Sequence, residues 1–65
     1  MNRIELSLNP NGEWRAHFVG EHAKEVIALF GTDTLPTPYT SYSKPEAVRQ
    51  AIAAINPGVS VEVRL

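Results

Sequence analysis

The residues Gly31-Thr32-Asp33-Thr34-Leu35-Pro36-Thr37-Pro38-Tyr39-Thr40-Ser41-Tyr42-Ser43 separate two readily readable parts of the chain. They include two prolines and eight hydroxyl side chains and read as a long irregular loop. Long loops in a compact domain are usually functional or disordered. Thr34, Leu35, Pro36, Pro38, Tyr39 and Tyr42 are therefore the candidate partner-binding residues. The plain alternative is that the loop only spans the core to start the next helix.

Immediately before it, residues 21–31 read as a short helix. Ala23, Ile27 and Phe30 share one face, and Gly31 supplies a left-handed cap. A strand over residues 25–30, following a tight turn at Gly20-Glu21, is the alternative, because periodicity does not separate the two for so short an apolar run. Further out lies a hairpin. Ile4, Leu6 and Leu8 alternate with polar residues, as do Trp14, Ala16 and Phe18. Asn9-Pro10-Asn11-Gly12 between them suits a type I turn followed by a glycine bulge. Pairing Asn9 with Glu13 sets Leu8 against Trp14, Leu6 against Ala16 and Ile4 against Phe18. A slip of one residue destroys that match.

On the other side, Ser43-Lys44-Pro45-Glu46 reads as a capping box opening a helix over residues 43–56. Val48, Ala51, Ile52 and Ile55 form its apolar face. Asn56-Pro57-Gly58 stops it. Val59, Val61, Val63 and Leu65 then alternate with polar residues as a final strand. The expected fold is one α+β domain over residues 1–65: a small antiparallel sheet, made of the hairpin and the C-terminal strand, with the 43–56 helix on one face. Its core should comprise Ile4, Leu6, Leu8, Trp14, Phe18, Ile27, Phe30, Val48, Ile52, Ile55, Val59, Val61 and Val63. The other sheet face carries Arg3, Glu5, Ser7, Glu13, Arg15, His17, Ser60, Glu62 and Arg64. If the final strand pairs with the first, both outer edges of the sheet are open.

Composition narrows the function. Sixty-five residues with no cysteine must fold on one small core, with no disulfide and no thiolate. The lack of cysteine fits a reducing cytoplasm, the expected location. The first residues show no apolar run of signal-peptide length, and no segment approaches a membrane span. A net charge of −1 argues against a protein built to hold phosphates, so nucleic acid is not an expected partner.

His17 and His22 have only Glu5, Glu13, Glu21 and Glu25 as neighbouring candidates, which does not suggest a zinc set, and no metal or other cofactor is expected. Hydroxyls are plentiful, but no positioned base accompanies them. The four glycines are isolated and make no phosphate cradle. No catalytic residue is assigned, and the chain reads as a non-enzyme. Tyr39, Tyr42, Lys44 and Arg49 offer an alternative as a weak single-stranded nucleic-acid binder. The leading reading is a non-catalytic cytoplasmic protein-interaction module with an unidentified protein partner. As an isolated chain it is expected to be a monomer, or a weak homodimer through a sheet edge.

The segment Phe30-Gly31-Thr32-Asp33-Thr34-Leu35-Pro36-Thr37-Pro38-Tyr39-Thr40, with the helix and its Asn56-Pro57-Gly58 stop, resembles a group of short uncharacterised bacterial proteins, several of them cyanobacterial. That resemblance implies a stand-alone cytoplasmic protein and carries over no catalytic residue. Gly12-Glu13-Trp14-Arg15-Ala16-His17-Phe18 and Phe30-Gly31-Thr32 are also similar in position to the small domain of the antitoxins in HicA–HicB type toxin–antitoxin pairs. That domain runs strand-strand-strand-helix-strand with a Trp in its second strand. The likeness implies a toxin partner. The chain departs from it by the stretch 32–43, read as an insertion before the helix, and by having no additional DNA-binding segment.

Overall fold

The computed structural model describes residues 1–64 and has the element order β1 (Arg3–Leu8), β2 (Glu13–Val19), α1 (Glu21–Phe30), β3 (Thr34–Thr40), α2 (Pro45–Ile55) and β4 (Ser60–Arg64). One sheet, ordered β3-β2-β1-β4, carries all the strands. This is the expected α+β fold, with α2 on the apolar face and residues 21–30 helical.

The hairpin takes the register that the apolar matching requires, with Ile4 opposite Phe18, Leu6 opposite Ala16 and Leu8 opposite Trp14. Its turn closes with the Asn9 amide on the Glu13 carbonyl at 2.9 Å and the Gly12 amide on the Asn9 carbonyl at 3.0 Å. Gly12 has φ +83°, the left-handed position of the bulge.

The stretch 31–43 is not an irregular loop, for it contains β3. Leu35, Thr37 and Tyr39 are half-buried and alternate with exposed Pro36, Pro38 and Thr40. Threonine and tyrosine favour pleated backbone. Proline is compatible with a strand that lies at the edge of a sheet, and β3 does.

The sheet is therefore mixed rather than antiparallel. β3 runs antiparallel to β2, and β2 antiparallel to β1. α2 carries the chain back from the end of β3, so β4 runs in the direction of β3 and pairs parallel with β1. The expected strand at Leu65 lies outside the described residues.

The core is Ile4, Leu6, Trp14, Ala16 and Val61 from the sheet with Val48 and Ile52 from α2, and Phe18, Tyr39, Val59 and Val63 pack around it. Leu8, Ile27, Phe30 and Ile55 are exposed, contrary to the sequence-based core. Leu8 and Ile55 stand at element ends, and α1 turns Val26 inward in place of Ile27 and Phe30.

The capping box does not form. Lys44 is the N-cap in extended backbone (ψ 137°), with no side-chain cap bond. A proline restricts the residue before it to extended conformations, so the helix starts at Pro45. Glu46 instead forms a bidentate pair with Arg49. The other end follows the sequence, with Asn56 closing α2 through its side-chain amide on the Ile52 carbonyl at 2.9 Å.

Candidate functional site

The hydrogen-bond direction of each strand follows from the hairpin. Asn9 and Glu13 are a bonded pair. In an antiparallel ladder bonded pairs recur every second residue, so the backbones of Arg3, Glu5 and Ser7 face β2. Those of Ile4 and Leu6 face β4. In a parallel pair, a residue bonds to the two flanking its opposite number. Ile4 is opposite Val61 and Leu6 opposite Val63, so Ser60, Glu62 and Arg64 point their backbone groups at β1. Val61 and Val63 point theirs away from the sheet. β4 is an edge, and among the described residues no further element lies along its outer side.

The same accounting at β3 gives a different edge. The Phe18 amide donates to the Asp33 carbonyl at 2.8 Å, and Ala16 lies opposite Leu35, so Thr34 and Pro36 face outward. The Thr34 amide is already held by the Thr32 hydroxyl at 3.2 Å, and Pro36 has no amide hydrogen. Pro38 has none either. Past the register shift Thr40 lies opposite Glu13 and the Ser41 amide donates to the Gly12 carbonyl, so Thr40 turns its amide outward. This edge offers carbonyls but hardly any donors. The expected open edge at the second hairpin strand is covered by β3, which becomes the edge in its place.

The six residues singled out in the sequence are distributed as follows. Thr34, Leu35, Pro36, Pro38 and Tyr39 are in β3, with Tyr39 packed against the core, while Tyr42 lies in the following turn and is 97% exposed. Leu35, Pro36 and Pro38 line one side of a 190 Å³ groove, with Phe18, Ile52 and Ile55 on the other. Ligand pockets generally occupy ~300–1,000 Å³. Of the proposed nucleic-acid set, Arg49 is engaged by Glu46 and Tyr39 is half-buried, so an exposed ring at Tyr42 and the cation of Lys44 remain.

The face away from α2 is a charge network centred on Glu5. Its carboxylate receives Arg3 Nε and an Arg64 guanidinium nitrogen, each at 3.0 Å, while His17 Nδ1 lies at 3.3 Å. The other His17 ring nitrogen, Nε2, lies 3.3 Å from Asp33 Oδ2, and Arg64 also reaches Glu62 at 3.0 Å. Burial raises the Glu5 carboxyl. The hydrogen bonds from His17 and Arg3 and the charges of Arg64 and Arg3 outweigh it, and the net position is below the ordinary 4.5. The sequence placed these residues on one face but gave no signal that Asp33 would join them, because its approach depends on the unforeseen β3.

No described helix is long and apolar enough to cross a membrane. No family model, curated protein or solved structure matches the chain.

Proposed function

We propose that this chain is a non-catalytic protein-interaction module that recruits an extended segment of its partner along the outer edge of β4. The observation that carries the reading is the contrast between the edges. Val61 and Val63 both present amides and carbonyls outward with no partner among the described residues, whereas on β3 the outward Thr34 amide is bonded to a side chain and Pro36 has none, which leaves Thr40 to donate. Strand addition needs donors and acceptors in alternation, with neighbouring side chains giving selectivity. Glu62 and Arg64 flank Val63 on the charged face and supply such a selection. The absence of cysteine supports a cytoplasmic setting.

The test is selection from a displayed random-peptide library against the immobilised protein, followed by amide chemical-shift mapping of the selected peptides. The expected result is peptides that move Val61 and Val63 and protect their amides from exchange. Selected peptides that map to β3, to the groove, or nowhere on the sheet overturn it.

A second reading, an antitoxin-like domain that binds a small toxin, is favoured by one observation. Because residues 34–40 are a strand, the element order differs from strand-strand-strand-helix-strand only by α1 between β2 and β3. A toxin gene beside this one, with a product that copurifies with the chain, is the expected finding under that reading. Neighbouring genes with no toxin remove it.

A further inference from the structure

We infer that the partner strand at β4 includes that of a second copy of this chain, paired antiparallel in a register centred on Val63. The inference rests on the reading of β4 as a recruiting edge. A closed pair related by a twofold axis through the sheet must join its edge strands antiparallel. Among the described residues of β4 the outward backbone groups belong to Val61 and Val63, so a register must set outward-facing positions opposite one another.

The side chains on the charged face then discriminate among registers. Centring on Glu62 sets Glu62 directly against the second copy's Glu62, at a non-bonded pair where side chains come closest. Centring on Val61 sets Glu62 against the second copy's Ser60 and leaves Arg64 without an opposite charge. Centring on Val63 sets Glu62 against the second copy's Arg64 and, by symmetry, Arg64 against the second copy's Glu62. Of these registers, only this one pairs unlike charges. Val63 then exchanges both backbone bonds with the second copy's Val63, and these half-buried side chains meet on the apolar face.

Glu62 and Arg64 are already in contact within the chain, at 3.0 Å, and Arg64 also meets Glu5 at 3.0 Å and Glu62 meets Arg3 at 3.9 Å. That does not exhaust them. Their side chains remain 42% and 58% exposed, and a guanidinium has five N–H donors to divide between carboxylates.

The experiment is a charge exchange read by sedimentation equilibrium over a wide concentration range. The parent chain should dimerise, and more weakly as salt rises, because exposed charge pairs are screened. Glu62→Lys makes both cross-strand pairs basic, and Arg64→Glu makes both acidic. Each variant alone should dimerise about tenfold more weakly or worse. Mixed together they restore unlike charges at both pairs, and a heterodimer should form at close to the parent's affinity. That recovery also shows that each variant is folded.

A parent that stays monomeric at the highest attainable concentration overturns the inference. So does dimerisation that is indifferent to both variants, or a mixture that fails to recover. If the parent is monomeric but selected peptides still bind at Val61 and Val63, self-pairing falls and the recruiting edge stands. If neither dimer nor peptide involves β4, both fall.

Discussion

The hydroxyl of Thr37 donates to the backbone carbonyl of Trp14 at 2.7 Å. This side-chain bond lies where the β2–β3 register shifts, between the pairs Arg15–Pro36 and Glu13–Thr40. The irregularity absorbs Pro38 without breaking the strand, and Tyr39 still reaches the core. Replacing Thr37 with valine keeps the shape and removes the donor. A carbonyl left without its partner costs roughly 1–3 kcal/mol. For a domain of this size, about 1 kcal/mol corresponds to ~4–8 °C. Thr37→Val should therefore lower the melting temperature by at least several degrees, with the largest chemical-shift changes in β3. An unchanged melting temperature would show that the bond holds nothing.

Trp14 is 1% exposed and belongs to the central cluster. Its indole nitrogen finds no acceptor among the described residues, so the side chain contributes through packing. Truncating such an aromatic costs about 3–5 kcal/mol, a large share of what a core this small supplies. Trp14→Ala should leave no cooperative thermal transition by circular dichroism. A variant that melts near the parent would place the core elsewhere.

Gly20 lies between β2 and α1 with φ +102°, and a Cβ there would fall 2.4 Å from the Met1 carbonyl oxygen. Asn2 meets the same corner, its side-chain oxygen accepting from the His22 amide at 3.0 Å. Gly20→Ala combines backbone strain, of order 1–3 kcal/mol, with displacement of the first residues. Expected outcomes are a clear loss of stability in urea and faster exchange at the His22 amide. Asn2→Ala should reproduce the faster exchange with a smaller stability loss.

The Glu5 carboxyl titrates below its ordinary 4.5 in the folded chain. A group with a depressed folded value contributes stability that is present above the unfolded value and lost as pH falls through the folded one. Stability should therefore decline in the acid range below 4.5. Glu5→Gln should flatten that decline, leaving the part due to Glu46, whose carboxyl is also lowered, chiefly by its hydrogen bond from Arg49. Urea melts of both chains across the acid range test this. Parallel pH curves would show that Glu5 carries none of the dependence.

Much of the fold was legible because local signals agreed. The hairpin turn and the apolar matching of Ile4, Leu6 and Leu8 independently demanded one register. Gly31 and Asn56 marked helix ends that formed as expected, with the Gly31 amide on the Ile27 carbonyl at 2.8 Å. β3 was harder to read because its alternation is carried by Leu35, Thr37 and Tyr39 against prolines, not by apolar against charged residues. Missing that strand also hid the direction of β4, since chain direction follows from the number of reversals before it. The difference between the sheet edges was not legible at all. It depends on which backbone groups face outward, and that is decided by strand order and register, properties of the assembled sheet.

The placement of Pro36 has a consequence for growth. A sheet with two receptive edges can add strand after strand without limit, the route to fibres. Here the two edges differ: Val61 and Val63 turn their backbone groups outward on one, while on the other the Thr34 amide is engaged and Pro36 has no hydrogen to give. Two copies joined at β4 would end on both sides in β3, so self-pairing there would stop at a pair.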